Sequence, residues 1–83
     1  MNNKQEVKEM FLHDDKTIQV NNTKYYYMYD IVTDIVDIGI MINGSITVLV
    51  DTEYDYRISF EDNLENIRET IEEYERLEQF RTI

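Results

Sequence analysis

Cysteine, proline, tryptophan and alanine are absent from this chain of 83 residues, and glycine occurs twice. Without cysteine there is no disulfide framework, no thiolate metal site and no sulfur nucleophile. So short a chain buries only about 60% of the surface its unfolded form exposes, so stability rests on a thin core or on self-association. One histidine, His13, stands beside Asp14 and Asp15. No second histidine, paired nucleophile or glycine-rich phosphate loop accompanies it, so the chain reads as non-enzymatic and without a cofactor. His13 fits a helix C-terminus, where an imidazolium is favourable against the dipole. No uninterrupted hydrophobic run reaches membrane-spanning length. The stretch Ile31 to Val50 is broken by Asp34, Asp37 and Asn43-Gly44, and Met1 to Glu9 has no apolar signal-peptide core. The expectation is one soluble domain over residues 1–83, without membrane contact. Abundant Ile, Asn, Tyr and Lys with no alanine or proline points to an AT-rich gene, and so to the cytoplasm of a low-GC bacterial host or to a phage of one.

Positive charge is also scarce. Eight Lys and Arg face eighteen Asp and Glu, for a formal charge of −10. Met1 to Lys24 holds four acids and four bases, whereas Tyr25 to Ile83 holds fourteen acids and four bases. Self-repulsion of this size costs stability, and a small domain that carries it gains solubility or a cationic partner. Phosphate is repelled by such a surface and there is no basic patch, so direct nucleic-acid binding is disfavoured.

The hydrophobic periods give an order of elements. Asn3 with Glu6 resembles a capping box, and Val7, Met10 and Phe11 follow at helical spacing, predicting a short helix over Lys4 to Leu12. Thr17 to Val20 reads as a strand, Asn21-Asn22-Thr23 as a turn, and Lys24 to Asp30 as a tyrosine-rich strand running into Ile31 and Val32. Ile31, Ile35, Ile38 and Ile42 also fit a helical period, but their β-branching and the Asn43-Gly44 turn favour a strand over Ile35 to Ile42, after a break near Thr33-Asp34. Ser45 to Val50 completes that hairpin. Asp51 to Asp55 reads as a polar loop, and the alternation of Tyr54, Tyr56, Ile58 and Phe60 as a further half-buried strand. From Glu61 the period changes: Leu64, Ile67, Ile71, Tyr74, Leu77 and Phe80 form one stripe of an amphipathic helix. The fold class is α+β, an antiparallel sheet of four to five strands with a short N-terminal helix and a long C-terminal one.

Eight carboxylates lie between Glu61 and Glu78. Those residues span about 27 Å as a helix, or one charge per roughly 3.4 Å, close to the phosphate spacing along one DNA strand. Glu61 and Asp62 suit the helix dipole without any functional reason. Glu65 and Glu69 repel across a turn, as do Glu69 and Glu73, while Glu72 gains from Arg76. One reading is an ordinary solvated helix face. The other is an interaction surface for a basic protein built from Glu65, Glu69, Glu72 and Glu73, widened by Asp30, Asp34 and Asp37 if these share a side, with Tyr25 and Tyr27 as aromatic anchors.

In its Glu-rich stretch Glu61 to Glu78 and its short, acidic, cysteine-free composition rich in Asp, Glu, Tyr and Asn, the chain resembles the anti-CRISPR proteins and other nucleic-acid-mimic inhibitors of phages and mobile elements. That class shares no motif, so no residue roles carry over. The resemblance implies a partner such as a CRISPR effector nuclease, bound at its basic nucleic-acid groove. Two other classes stand beside it: an antitoxin or immunity protein neutralising a basic toxin, and a small phage structural or adaptor protein.

Two weaker constellations complete the reading. Asp51, Glu53, Asp55, Ile58 and Asp62 fall at positions 1, 3, 5, 8 and 12 of an EF-hand-like calcium loop, but Tyr56 stands at position 6, where the sharp turn needs glycine. No metal site is expected. The end of the apolar stripe, Tyr74 to Phe80, extends past what a short strand covers, which allows a homodimer seam.

Overall fold

The structure, a computed structural model, describes residues 16–81. The helix expected over Lys4 to Leu12, and His13 after it, lie outside the described residues. Four strands follow one another, β1 (Thr17–Val20), β2 (Thr23–Asp30), β3 (Ile35–Ile42) and β4 (Ser45–Glu53), and a helix α1 (Phe60–Arg81) closes the chain. The strands form one antiparallel meander in the order β1-β2-β3-β4. Among the described residues the fold is α+β, with four strands, at the lower end of the expected count.

The turns are set by residues that tolerate left-handed backbone. Asn21 and Asn22 have φ of 50° and 69°, and Asn43 and Gly44 have 52° and 81°. Both central positions are thus positive, as a hairpin turn matched to strand twist requires. The β2–β3 link is tighter than the sequence suggested. Asp34 adopts φ 60°, its N–H donates to the Asp30 carbonyl at 2.8 Å, and the Val32 N–H donates to Asp30 Oδ1 at 2.8 Å. These bonds end β2 at Asp30, so Ile31 and Val32 form the turn instead of extending the strand, and they are exposed.

Two further expectations are corrected. Asp51 to Glu53 belong to β4 and not to a loop, because the β3 pairing continues through Asp37↔Asp51 to Ile35↔Glu53. Tyr54 to Phe60 is not a strand. The Asp55 carboxylate accepts the Arg57 N–H at 2.9 Å, which curls the chain. The Asn63 amide then seals the curl: its Nδ2 donates to the Asp55 and Ser59 carbonyls at 2.9 and 3.0 Å, and its Oδ1 accepts the Asp55 N–H at 3.0 Å. Ser59 Oγ caps α1 by accepting the Asp62 N–H at 3.0 Å. The alternating tyrosines of this segment pack by ring contact instead: Tyr54 lies 4.6 Å from Tyr29 and 5.6 Å from Tyr56, centroid to centroid.

A bulge sits in β4, where the register steps from Ile38↔Val50 to Gly39↔Val48 and leaves Leu49 without a partner. Gly39 is required there by close approach, since a Cβ on it would lie 2.2 Å from the Thr47 carbonyl oxygen. The core forms on one face of the sheet, where Val20, Tyr25, Tyr27, Val36 and Ile38 meet Ile67 and Ile71 of α1. The helix stripe is buried only along its first half. Leu77 and Phe80 are 51% and 68% exposed, because α1 outruns the strands beneath it.

Candidate functional site

Docking Leu64, Ile67 and Ile71 on the sheet turns the opposite side of α1 to water. Glu61, Asp62, Glu65, Glu69, Glu72 and Glu73 are all exposed. Three of the helix acids are held by arginines one turn on: Glu65 by Arg68 at 3.8 Å, Glu78 by Arg81 at 2.9 Å, and Glu73 by Arg76. Glu72, expected to pair with Arg76, does not. Among the described residues, Glu61, Asp62, Glu69 and Glu72 have no cationic side chain against them. The α1 set expected from sequence, Glu65, Glu69, Glu72 and Glu73, is therefore brought together as one ridge.

Asp30 and Asp37 fall on the other side of the molecule. Side chains alternate along a strand, and the core takes Tyr25, Tyr27, Val36 and Ile38, so Asp30 and Asp37 point to the outer sheet face. There Asp37 stands directly opposite Asp51, and Glu53 opposite Ile35 beside Asp30. Burial, then the neighbouring Asp51 and Asp30 charges, push the Asp37 carboxyl above the usual carboxylate range. The carboxylates thus form two surfaces, the α1 ridge and the outer sheet face, separated by the sheet itself.

Asp34 is engaged internally. Its Oδ1 accepts the Tyr29 hydroxyl at 2.8 Å and that of Tyr56, and its carbonyl accepts the Tyr54 N–H at 2.9 Å. The Tyr56 and Tyr29 hydroxyls hold the Asp34 carboxyl below its ordinary range, while hydrogen bonding to Tyr56 and Asp34, with burial, raises Tyr29. Asp34 therefore ties the β2–β3 turn to the segment that precedes α1, and its carboxylate is already engaged.

The tyrosine anchors are placed differently as well. Tyr25 and Tyr27 are 4% and 8% exposed and form part of the core. Tyr25 also donates to Glu75 Oε2 at 2.5 Å, and burial followed by this carboxylate raises the hydroxyl's pKa. Among the described residues the most exposed aromatic side chains are Tyr56, Phe60 and Phe80. The signal for this lies in hairpin parity, since Tyr27 pairs with Ile38 and Tyr29 with Val36, residues whose burial assigns the face.

Three concavities lie around α1, one of them an open depression of about 610 Å³ between β1 and the first two turns of the helix, lined by Ile18, Gln19, Glu61, Leu64, Glu65 and Arg68. A groove of about 450 Å³ separates α1 from β4, floored by Val50, Tyr74 and Leu77 and walled by Glu69 and Glu73. A smaller cavity of about 250 Å³ is lined by Lys16, Tyr27, Met28, Tyr29, Tyr54, Tyr56 and Phe60. Asp51 and Glu53, read as calcium-loop positions, are extended in β4 and do not wrap around a common point. Among the described residues no three His, Cys, Asp or Glu stand close enough to hold a metal ion, and no helix is long and apolar enough to cross a membrane. Comparison with protein families, with curated proteins and with solved structures finds no match to this chain.

Proposed function

We propose that this chain is a non-enzymatic acidic inhibitor that binds a basic, nucleic-acid-handling protein by presenting carboxylates in place of phosphates. The observation that carries the reading is the ridge of α1, where Glu61, Asp62, Glu69 and Glu72 stand exposed without cations and Glu65 and Glu73 extend the row. Glu61 and Asp62 suit the helix dipole, but Glu69 and Glu72, left unpaired further along, gain nothing for folding, since like charges one turn apart cost a few tenths of a kcal/mol each. A cationic groove turns that cost into steering and orientation. In its most specific form the partner is a CRISPR effector nuclease and the protein is an anti-CRISPR of a bacterial cytoplasm. Asp30 and Asp37 face away from the ridge and are not counted into it.

The test is competition. Binding to a basic nuclease should be displaced by duplex DNA and should weaken steeply with salt, as screening shortens to about 3 Å at 1 M. Combined Glu65, Glu69, Glu72 and Glu73→Gln substitution should lower affinity mainly through the association rate. Binding indifferent to both DNA and salt rejects the proposal. Self-association through the exposed Leu77 and Phe80 is a second reading, and concentration-dependent sedimentation of the isolated protein checks it.

A further inference from the structure

The outer edge of β4 runs between the α1–β4 groove, walled by Glu69 and Glu73, and the outer sheet face with Asp51 and Glu53. Among the described residues nothing pairs with that edge, because β4 is the last strand of the sheet. Its sequence, Ser45–Glu53, contains no proline, lysine or arginine; the bulge and the carboxylates of Asp51 and Glu53 guard it against a second acidic strand but not against a cationic one. The bulge at Leu49 divides the edge into two regular parts, Ser45–Val48 next to the Asn43-Gly44 turn and Val50–Glu53, whose Val50 and Thr52 line the groove beside α1. On the inner side of this part Val50 and Thr52 floor the groove of about 450 Å³ beneath Glu69 and Glu73. On the outer side stand Asp51 and Glu53, both exposed. Asp51, Glu53 and Glu69 have no cation beside them among the described residues.

From this arrangement we infer that the β4 edge docks an extended basic segment of a partner protein as a fifth strand. Strand addition draws affinity from main-chain hydrogen bonds and specificity from alternate side chains. An added strand beside Val50–Glu53 turns one set of side chains into the α1–β4 groove and the other onto the outer sheet face. Carboxylates border both, Glu69 and Glu73 on one side and Asp51 and Glu53 on the other. The occupant therefore carries lysine or arginine on both of its faces, with apolar residues able to reach Val50 and Leu77. This deepens the proposed function: it rests on a basic partner and supplies the backbone geometry that charge alone lacks.

The probe is an acetylated, amidated octapeptide, Arg-Arg-Val-Val repeated twice, which as a strand carries arginine and valine on both faces; it is added to the isotopically labelled full chain at low salt. Its counterpart has the same side chains, with every second backbone nitrogen methylated so that it cannot form a ladder. The plain peptide should shift the amide resonances of Val50–Glu53 and slow their hydrogen exchange, and the methylated one should bind at least about tenfold more weakly. Leu77→Lys, at a half-exposed helix position that tolerates it, should abolish the shifts in β4. Glu69→Gln and Asp51→Asn should each weaken binding roughly twofold to fivefold, since the two sides contribute separately. Equal binding of the two peptides, shifts confined to the outer ridge of α1, or no binding overturns strand addition and leaves the competition test with DNA unaffected. Conversely, laddered binding by a chain whose nuclease complex ignores DNA keeps this inference and rejects charge mimicry.

Discussion

The hydroxyl of Tyr25 donates to Glu75 Oε2 at 2.5 Å across 50 residues of chain, and Oε1 of the same glutamate accepts Asn21 Nδ2 at 2.8 Å. One helix carboxylate thus fastens the second half of α1 to the first hairpin, beyond the reach of the apolar contacts made by Ile67 and Ile71. Tyr25→Phe removes this bond while keeping the ring in the core. The expected cost is about 1.5–3 kcal/mol, the range for a hydrogen bond to a charged acceptor. In a domain of this size each kcal/mol lowers Tm by roughly 4–8 °C. An unchanged melting temperature would remove the fastening role.

The same pair gives an alkaline limit. The folded state raises the Tyr25 pKa, through burial first and the Glu75 carboxylate second. Tyr29 is raised as well, through Tyr56 first. A group that holds its proton more tightly when folded contributes stability that is fully present below its unfolded pKa, about 10 for tyrosine, and that is lost as pH rises above it. Denaturant midpoints should hold constant up to about pH 9.5 and then fall, with a shallower fall for Tyr25→Phe. Identical profiles for the two proteins contradict the assignment.

Asp37 works in the opposite sense. It faces Asp51 across the β3–β4 pair, and its carboxyl is raised by burial and by the Asp51 and Asp30 charges. An acid raised by folding is a liability above its folded pKa, and the liability disappears below the unfolded value near 4. Asp37→Asn should therefore stabilise the domain at pH 7 by about 0.5 kcal/mol, the scale of a like-charge pair directly opposed in a sheet. The gain should vanish near pH 3. A destabilised variant at neutral pH would show that the carboxylate serves packing instead.

Gly39 and Gly44 test two different reasons for glycine. Gly39→Ala places a methyl 2.2 Å from the Thr47 carbonyl oxygen, backbone that cannot swing aside, and should cost about 3 kcal/mol or more. At Gly44 there is open space but φ is +81°, so Gly44→Ala should cost only about 1–2 kcal/mol of left-handed strain. Urea unfolding of both variants ranks them. The reverse order would mean that the bulge relaxes more easily than the turn.

Asn63 is the one buried polar residue of the described region, at 2% exposure. It replaces the ladder that residues 54–59 lack, with its side chain in three hydrogen bonds to Asp55 and Ser59. Asn63→Ala strands those backbone groups and should destabilise by about 2–3 kcal/mol. Amide exchange in residues 54–59 should accelerate before that of the strands does. Uniform acceleration across the sheet would instead mark Asn63 as part of the global core.

Local chemistry alone determined much of this molecule. Asn43-Gly44 specified its turn because few residue pairs accept two positive φ angles. The apolar stripe specified α1 because its period admits one buried face, and β3 and β1 follow from turns that bound them. The placement of carboxylates and tyrosines was decided by tertiary structure. Asp30 and Asp37 separated from the α1 ridge, and Tyr25 and Tyr27 entered the core, because the face a strand residue takes depends on its register with a neighbouring strand. Residues 54–59 alternate like a strand yet form a loop, since Asn63, brought in by α1, satisfies the backbone groups that a sheet neighbour would otherwise have to pair. The free edge of β4 is also a property of strand order: each strand in isolation has two edges, and only assembly determines which one is left open between two acidic faces.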